Sequence, residues 1–493
     1  MDAVAVGFVV YLVIILIVGL YTSRLTKTLP DYLLAGRRLG PWVVAFSERA
    51  SGESAWMLLG LTGLAYATGF GDPSGTKLEP ALWTAIGGVA GIAASWFLVA
   101  KKLRQQTEEL GALTLPRFFE LKFRKKDPLL RFVATGIITF CFAFYIAAQF
   151  DAAGKALSQT FNWPEMSGVL VGAAIIVFYT FMGGFLAVAW TDFVQGWIML
   201  ITLVVLPLVT LSVLGGWEGM TETIVNKTTT SDAALLLNPT GGRTGWTLLA
   251  GILGGFGVGF GYAGQPHLLA RYMSIRSVGD ITKSRSIAIS WAVLAYGGAV
   301  LMGIVALAYF GPNYFTDPEL MMPELAKRMF PSWFAGILIC GALAAMMSTA
   351  DSQLLVTTSS ISEDVYHQSI NPEAKQADLV KLSRIVTLII GVVAIFLSQL
   401  PQSIFDKVLF AWGALGAAFG PALILTLWWK KTTRNGVLAG MVVGFLTIII
   451  WDNFIDIEIY SLVPGFIFAM LAIILFSILS NNKKQTLNEA RLP

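Results

Sequence analysis

Glu48, Arg49 and Glu53 stand inside an apolar stretch, 43–68, that is long enough to cross a bilayer. They belong to the run Ser47-Glu48-Arg49-Ala50-Ser51-Gly52-Glu53-Ser54. An ionisable residue at the centre of a membrane span costs about 2.5–3.5 kcal/mol on insertion scales, so these three must face a wet cavity or one another. Arg49 and Glu53 also have the four-residue spacing of an intrahelical pair. A second apolar stretch, 246–270, holds Gly251, Gly254, Gly255, Gly257, Gly259, Gly261 and Gly264, followed by Pro266. Glycine weakens a helix and proline lacks its N–H, so this stretch is either a close-packing face or a broken helix. A third, 332–360, carries Ser348, Thr349, Asp351 and Ser352, then Thr357, Thr358, Ser359 and Ser360. Residues 348 and 352 share a helix face, with 349 adjoining. Their hydroxyls are hard oxygen donors of the kind hard cations prefer, and carbonyls freed by an unwound helix can complete such a site. The 357–360 hydroxyls instead suit back-bonding to carbonyls four residues earlier. The chemistry indicated is capture of a small cation and a polar solute within a membrane.

The rest of the chain supplies the elements to position them. Of 493 residues 56% are hydrophobic and only 13% charged, and the mean hydropathy is +0.70. A soluble domain runs nearer 25% charged. An all-α polytopic membrane protein is expected, with runs of spanning length near 5–23, 43–68, 82–100, 132–158, 166–189, 193–215, 246–270, 286–310, 332–360, 383–400, 408–428, 436–452 and 461–480. If spans 2–6 and 7–11 are two five-helix halves, each interrupted stretch opens its half, and an odd number of spans inverts the second half. Paired interruptions at corresponding positions point to a transporter's binding site. The chain then divides into a peripheral span and inner loop (1–40), a first repeat (41–217), a second repeat (243–430) and two peripheral spans with a tail (431–493).

With the N-terminus outside, the inner loops hold 26 Lys and Arg against seven outside. The inner set includes Arg24, Lys27, Arg37 and Arg38, nine residues from Lys101 to Arg131, four from Arg271 to Arg285, and Lys483, Lys484 and Arg491. The outer set includes Lys77, Lys155 and Lys407. The positive-inside rule therefore puts the C-terminus in the cytoplasm. Asp151 and Lys155, four apart, suggest a structural pair. The balance of +4 is too small to suggest nucleic acid. Cys141 and Cys340 both fall in apolar runs, which argues against a disulfide framework. The sequence has no G-x-x-x-x-G-K-[ST] loop for nucleotide and no nucleophile–base constellation for an enzyme. His267 reads as a local hydrogen-bonding residue.

The chain resembles the sodium:solute symporter family, and within it the sodium:proline branch. The resemblance is carried by Asp31-Tyr32-Leu33-Leu34-Ala35-Gly36-Arg37, Ala50-Ser51 with Ser54 and Trp56, and Ala112-Leu113-Thr114-Leu115-Pro116. Also matching are Tyr179 to Val188 ahead of Trp190-Thr191-Asp192, Gly264-Gln265-Pro266-His267, and Ser348-Thr349-Ala350-Asp351-Ser352-Gln353. It implies a LeuT-type five-plus-five inverted repeat with discontinuous spans 2 and 7, in the inner (plasma) membrane. It also implies uptake of a small solute, L-proline first, coupled to Na+ by alternating access. The sodium site implied uses carbonyls of Ala50, Glu53 and Ala345 and the hydroxyls of Ser348 and Thr349. Asp192, at the entrance to span 6, matches an aspartate on the sodium path. The implied substrate pocket involves Ser54, Ala55, Tyr145, Val258, Tyr262 and Pro266. Five positions depart from the branch: Gly52 replaces an aspartate, Glu53 an apolar residue, Val258 a tryptophan, Ala55 a glycine and Arg49 a small residue. Arg49 and Glu53 thus become candidates for coupling or gating. The alternatives are another amino acid, a small carboxylate drawn by Arg49, or proton coupling through Glu53 or Asp192.

Overall fold

A computed structural model describes residues 3–23, 29–74, 79–123, 128–455, 457 and 459–489. Arg24, Lys27, Lys77, Arg124, Lys125, Lys126 and Arg491, counted above among the loop charges, lie outside these, as do the side chains of Tyr179, Met182, Lys483 and Lys484. The secondary structure described is helical. Among the described residues, eleven helices are long and apolar enough to cross a membrane, and two shorter apolar helices, Trp56–Thr68 and Glu165–Phe178, stand where the remaining expected spans fall.

The order is α1 (Ala3–Ser23), α2 (Pro41–Gly52), a wide turn (Trp56–Leu61) leading into α3 (Thr62–Thr68), α4 (Ala81–Ser95), α5 (Pro128–Phe161) and α6 (Glu165–Val213). There follow α7 (Gly245–Phe260), α8 (Pro266–Ser274), α9 (Asp280–Phe310), α10 (Ser332–Ser359), α11 (Gln376–Ser398), α12 (Ile404–Trp428), α13 (Arg434–Phe454) and α14 (Leu462–Glu489). The most enclosed are α10 and α12, each with 83% of its apolar window buried inside the protein, whereas α1 and α13 reach only 22% and 28%. An all-apolar helix surrounded by other helices forms the centre, and one facing outward on most sides belongs to the lipid boundary.

Both polar interruptions break their helices. Span 2 divides at Glu53 (φ −103°, ψ 26°), which ends α2 with its amide still bonded to Arg49 O. Span 7 divides between α7 and α8, through a tight turn over Gly261–Gly264 and an extended Gln265. The glycines of span 7 serve packing as well as breaking. A Cβ on Gly259 would lie 2.2 Å from Gly87 O and one on Gly255 would lie 2.6 Å from Trp83 C, so α7 meets α4 backbone to backbone.

Three expectations need correction. The boundary between spans 5 and 6 falls at Gly184 (φ 64°, ψ 178°) inside α6, not near residue 190. Asp192 is therefore eight residues, about 12 Å, inside span 6 rather than at its entrance. Sequence hydropathy cannot see this break, because Gly183-Gly184 is as apolar as its flanks. Asp151 and Lys155 do not pair. Asp151 binds Lys407 of α12 at 2.5 Å, while Lys155 reaches Asp317 and Glu319 at 2.8 and 2.6 Å. Finally, Arg271 is no loop cation but a fully buried residue of α8.

Gly184 provides a direct test of the break. Its backbone lies in a region that is essentially glycine-only and costs other residues about 1–3 kcal/mol, and a Cβ there would come 2.8 Å from the Tyr32 ring. Gly184→Ala is expected to lower the thermal unfolding midpoint in detergent by several degrees; an unchanged midpoint would contradict a break at this position.

Candidate solute and cation site

The end of α2 leaves successive carbonyls without helical partners, the ordinary consequence of stopping a helix. Three of them are met from elsewhere. Ser348 Oγ lies 2.9 Å from Ala50 O and Thr349 Oγ1 lies 3.0 Å from Ser51 O, both donated across from α10. Trp56 Nε1 donates to Gly52 O at 3.4 Å. Ser348 Oγ is also 3.1 Å from Ala345 O in its own helix. One hydroxyl has a single proton and can satisfy one of those two carbonyls, so three oxygens, of Ala50, Ala345 and Ser348, lie together with one proton among them. All three residues, with Glu53 and Thr349, are fully buried. Hard, mostly uncharged oxygens in this arrangement fit a small monovalent cation.

Beyond the break, Ala55 N donates to Gln149 Oε1 at 3.2 Å, and Ser54 Oγ lies 3.4 Å from Tyr145 OH. Ser54, Ala55 and Tyr145 therefore meet between span 2 and α5. Tyr262 is turned differently. Its hydroxyl sits 3.1 Å from both Glu53 carboxylate oxygens and 2.5 Å from Tyr296 OH of α9, which itself donates to Glu53 Oε2 at 3.0 Å. Its ring packs edge-on against Trp412, centroids 4.7 Å apart. Val258, one turn before Tyr262, offers its carbonyl to Trp412 Nε1 at 2.9 Å. A tryptophan thus borders this region from α12, although position 258 carries a valine. Pro266 starts α8 and borders a narrow cleft with Thr114, Pro116, Phe185, Ala270 and Ser359, on the side of the helical turn Leu115–Lys122.

Two charged networks flank the break. In one, Arg49 binds Glu53 Oε1 at 2.5 Å and holds Glu48 through Nε (2.6 Å) and Nη2. Trp96 Nε1 and Tyr272 OH complete the shell of Glu48, each at 3.2 Å. The pairing of Arg49 with Glu53 expected from their spacing is present, but Glu48 shares it, and the Glu53 carboxylate faces Tyr262 and Tyr296. In the other, Arg271 Nη2 lies 3.0 Å from Asp192 Oδ2 and 2.9 Å from Ser51 Oγ, and Nε lies 3.1 Å from Ser47 Oγ. Asp192 Oδ2 also accepts from Ser47 Oγ at 2.6 Å. Among the described residues neither ring nitrogen of His267 has a hydrogen-bond partner of ordinary geometry, and its ring packs edge-on against Phe142 and Tyr145.

Sequence reasoning missed Gln149, Arg271, Tyr296 and Trp412. Arg271 had a usable signal, since it follows the Gly264–Pro266 break by only a helical turn and cannot be far from it. A tyrosine or tryptophan inside an apolar span carries no mark of which way it faces.

Residues 32–444 match the family model described as "Sodium:solute symporter family". The chain is 38% identical over 482 residues to the "Sodium/proline symporter" of Escherichia coli (strain K12), covering 96% of this chain and 92% of that protein. It is 37% identical over 479 residues to the "High-affinity proline transporter PutP" of Bacillus subtilis (strain 168), covering 96% and 98%. Among solved structures, a Na+-coupled sialic acid symporter in a substrate-bound outward-open state superposes with a TM-score of 0.81 at 17% identity, over 97% of this chain and 98% of that one. MhsT in complex with L-phenylalanine gives 0.52 at 17% identity, over 89% and 98%. These likenesses bear out the LeuT-type fold.

Proposed function

The chain belongs to the sodium:solute symporter family, and from that premise we propose that it imports L-proline together with sodium by alternating access. The single observation that carries this reading is the approach of Ser348 Oγ to Ala50 O and Ala345 O at 2.9 and 3.1 Å, beside the end of a broken helix. The substrate is suggested by the relatives, whose printed names specify proline and which align over nearly the whole chain.

Sodium would be held by the carbonyls of Ala50, Glu53 and Ala345 and the hydroxyls of Ser348 and Thr349. Binding there fixes the end of α2, and with it Ser54 and Ala55, against Tyr145. The solute pocket would then be completed by Val258, Tyr262 and Pro266. Aromatic faces suit the ring methylenes of proline and hydroxyl edges its polar groups. Asp192 lies one hydrogen bond from Ser51 (3.2 Å) and would serve the passage of sodium toward the cytoplasm. The loop charge bias sets the C-terminus on the cytoplasmic side of the inner membrane. One ion crossing about 100 mV releases about 2.3 kcal/mol, and a tenfold sodium gradient adds about 1.4. Their sum sustains a several-hundred-fold proline gradient at one-to-one coupling.

A small carboxylate drawn by Arg49 finds no support, because Nε, Nη1 and Nη2 of that guanidinium are all engaged by Glu48 and Glu53. The test is uptake of labelled proline into proteoliposomes under an inward sodium gradient, challenged with a panel of amino acids and carboxylates. Sodium-driven, voltage-sensitive uptake that unlabelled proline suppresses best is expected. A solute that competes better replaces proline as the substrate, and uptake indifferent to sodium but abolished by a protonophore overturns the coupling ion.

A further inference from the structure

Tyr145 and Gln149 stand one turn apart on one face of α5, and both are fully buried. They hold consecutive residues of the broken span 2: Ser54 Oγ lies 3.4 Å from Tyr145 OH, and Ala55 N donates to Gln149 Oε1 at 3.2 Å. The amide of Ala55 is one of the N–H groups that a restarting helix leaves without a helical partner. Only an acceptor can meet it, so it fixes which way the side-chain amide of Gln149 is turned: the oxygen, not the nitrogen, lies against Ala55.

Protons outnumber acceptors in this patch. Gln149 Nε2 carries two, and the acceptor it meets among the described residues is Tyr145 O, in its own helix and 3.5 Å away. Ser54 and Tyr145 carry one hydroxyl proton each and share one long contact, while Ser54 Oγ also accepts from Trp56 N at 3.4 Å. At least one N–H and one O–H are left over in a fully buried place, where a donor without a partner is costly. The guanidinium groups near the break are closed to an incoming anion. Arg49 is engaged by Glu48 and Glu53, and Arg271 by Asp192, Ser47 and Ser51. An anionic group entering beside Ser54 therefore meets neutral donors, and a carboxylate, which only accepts, matches their surplus.

We propose, resting on the proline reading above, that Gln149 is a specificity-determining residue for the solute: its Nε2 donates to the solute carboxylate, beside the hydroxyl proton that Ser54 and Tyr145 leave over. The bond from Ala55 N to Oε1 holds this donor in place before the solute arrives, which spares binding the ordering of a long side chain. A hydrogen bond to an ionised acceptor is also stronger than one between neutral groups. A site built from donors rejects an analogue that brings a donor of its own, because two N–H groups then face each other unpaired. The pocket accordingly selects a free carboxylate over a carboxamide at the same position.

The experiment reconstitutes the full chain in proteoliposomes and reads labelled-proline uptake under an inward sodium gradient, with unlabelled L-proline or L-prolinamide as competitor. Prolinamide keeps the ring and the amine and exchanges one carboxylate oxygen for NH2. In the wild type, half inhibition is expected to need about 10- to 100-fold more prolinamide than proline, the effect of a hydrogen bond to a charged group. Gln149→Leu should raise the half-saturation concentration for proline by a similar factor and leave half inhibition by prolinamide within about threefold, so that the preference collapses. Gln149→Met gives the same reading should the leucine variant fail to fold. A Gln149 that only held Ala55 in place would weaken both solutes together, so equal weakening overturns the proposal. A wild type that does not distinguish the two solutes overturns it as well, and so does a variant that keeps the full preference. A wild type that takes up no proline defeats the substrate reading itself; every other outcome presupposes intact uptake, which keeps the two failures apart.

Discussion

Ser348→Ala is expected to raise the sodium concentration for half-maximal uptake by about 10- to 100-fold. The hydroxyl oxygen is one of a small set of ligands in a fully buried site, where a polar contact to a charged group contributes about 1.5–3 kcal/mol, and each 1.4 kcal/mol is about tenfold in affinity. Thr349→Ala should act in the same direction, since its hydroxyl holds Ser51 O at 3.0 Å in the same freed turn. The measurement is the sodium dependence of proline uptake at saturating proline, alongside thermal unfolding of each variant. A hydroxyl that merely capped carbonyls would lower the unfolding midpoint and leave the sodium dependence alone, and that outcome would move the ion elsewhere.

The parts of this architecture legible in the sequence are those written as local contrasts. Ser47–Ser54 interrupts an apolar run with eight residues that include three ionisable ones, so a break or a buried network had to be there. The seven glycines before Pro266 mark a second stretch that had to be either a break or a close-packing face, and Ser348 shares a helix face with Ser352, Thr349 adjoining, by spacing alone. What stayed hidden is written between distant segments. Lys155 has a carboxylate four residues away at Asp151, yet Asp317 and Glu319 on a later turn approach it more closely and Lys407 takes Asp151 instead. Local spacing sets which pairs can form, and tertiary packing chooses among them. Arg271 misled for a related reason: counting charges by loop assumes that a cation near a span end reaches water, but a helix restarting at Pro266 inside the membrane carries its first turn inward. Asp192 was placed wrongly because a glycine at positive φ leaves no hydropathy signal, whereas Gly184 alone moved the start of span 6 by two turns.

The largest loss of stability is expected from Arg49→Met. Arg49 is the one cation between Glu48 and Glu53, and all three side chains are fully buried. Breaking a buried pair by removing one partner costs about 3–5 kcal/mol, because the stranded charge keeps its desolvation penalty. That is a large fraction of a typical folding free energy of about 5–15 kcal/mol, so little folded protein should be recovered. The network spans both interruptions: Glu48 and Glu53 stand on span 2, Tyr262 lies in the break of span 7 and Tyr272 in the helix after it, and Trp96 and Tyr296 bring in the helices behind them. Its expected role is to hold the two breaks in register, so that the sodium-fixed end of α2 and the turn at Tyr262 form one pocket. The triple change Glu48→Gln, Arg49→Met, Glu53→Gln removes the charges together and should recover most of the lost unfolding midpoint, since a neutral set of similar volume leaves no charge stranded. Uptake should not return with it, because without the guanidinium that joins positions 48 and 53 the glutamines no longer hold the tyrosines of span 7 and α9 in one fixed arrangement. Full recovery of uptake in the triple variant would reduce the network to an incidental ion pair, and a stable, active Arg49→Met would show that its carboxylates are neutralised by something other than the guanidinium.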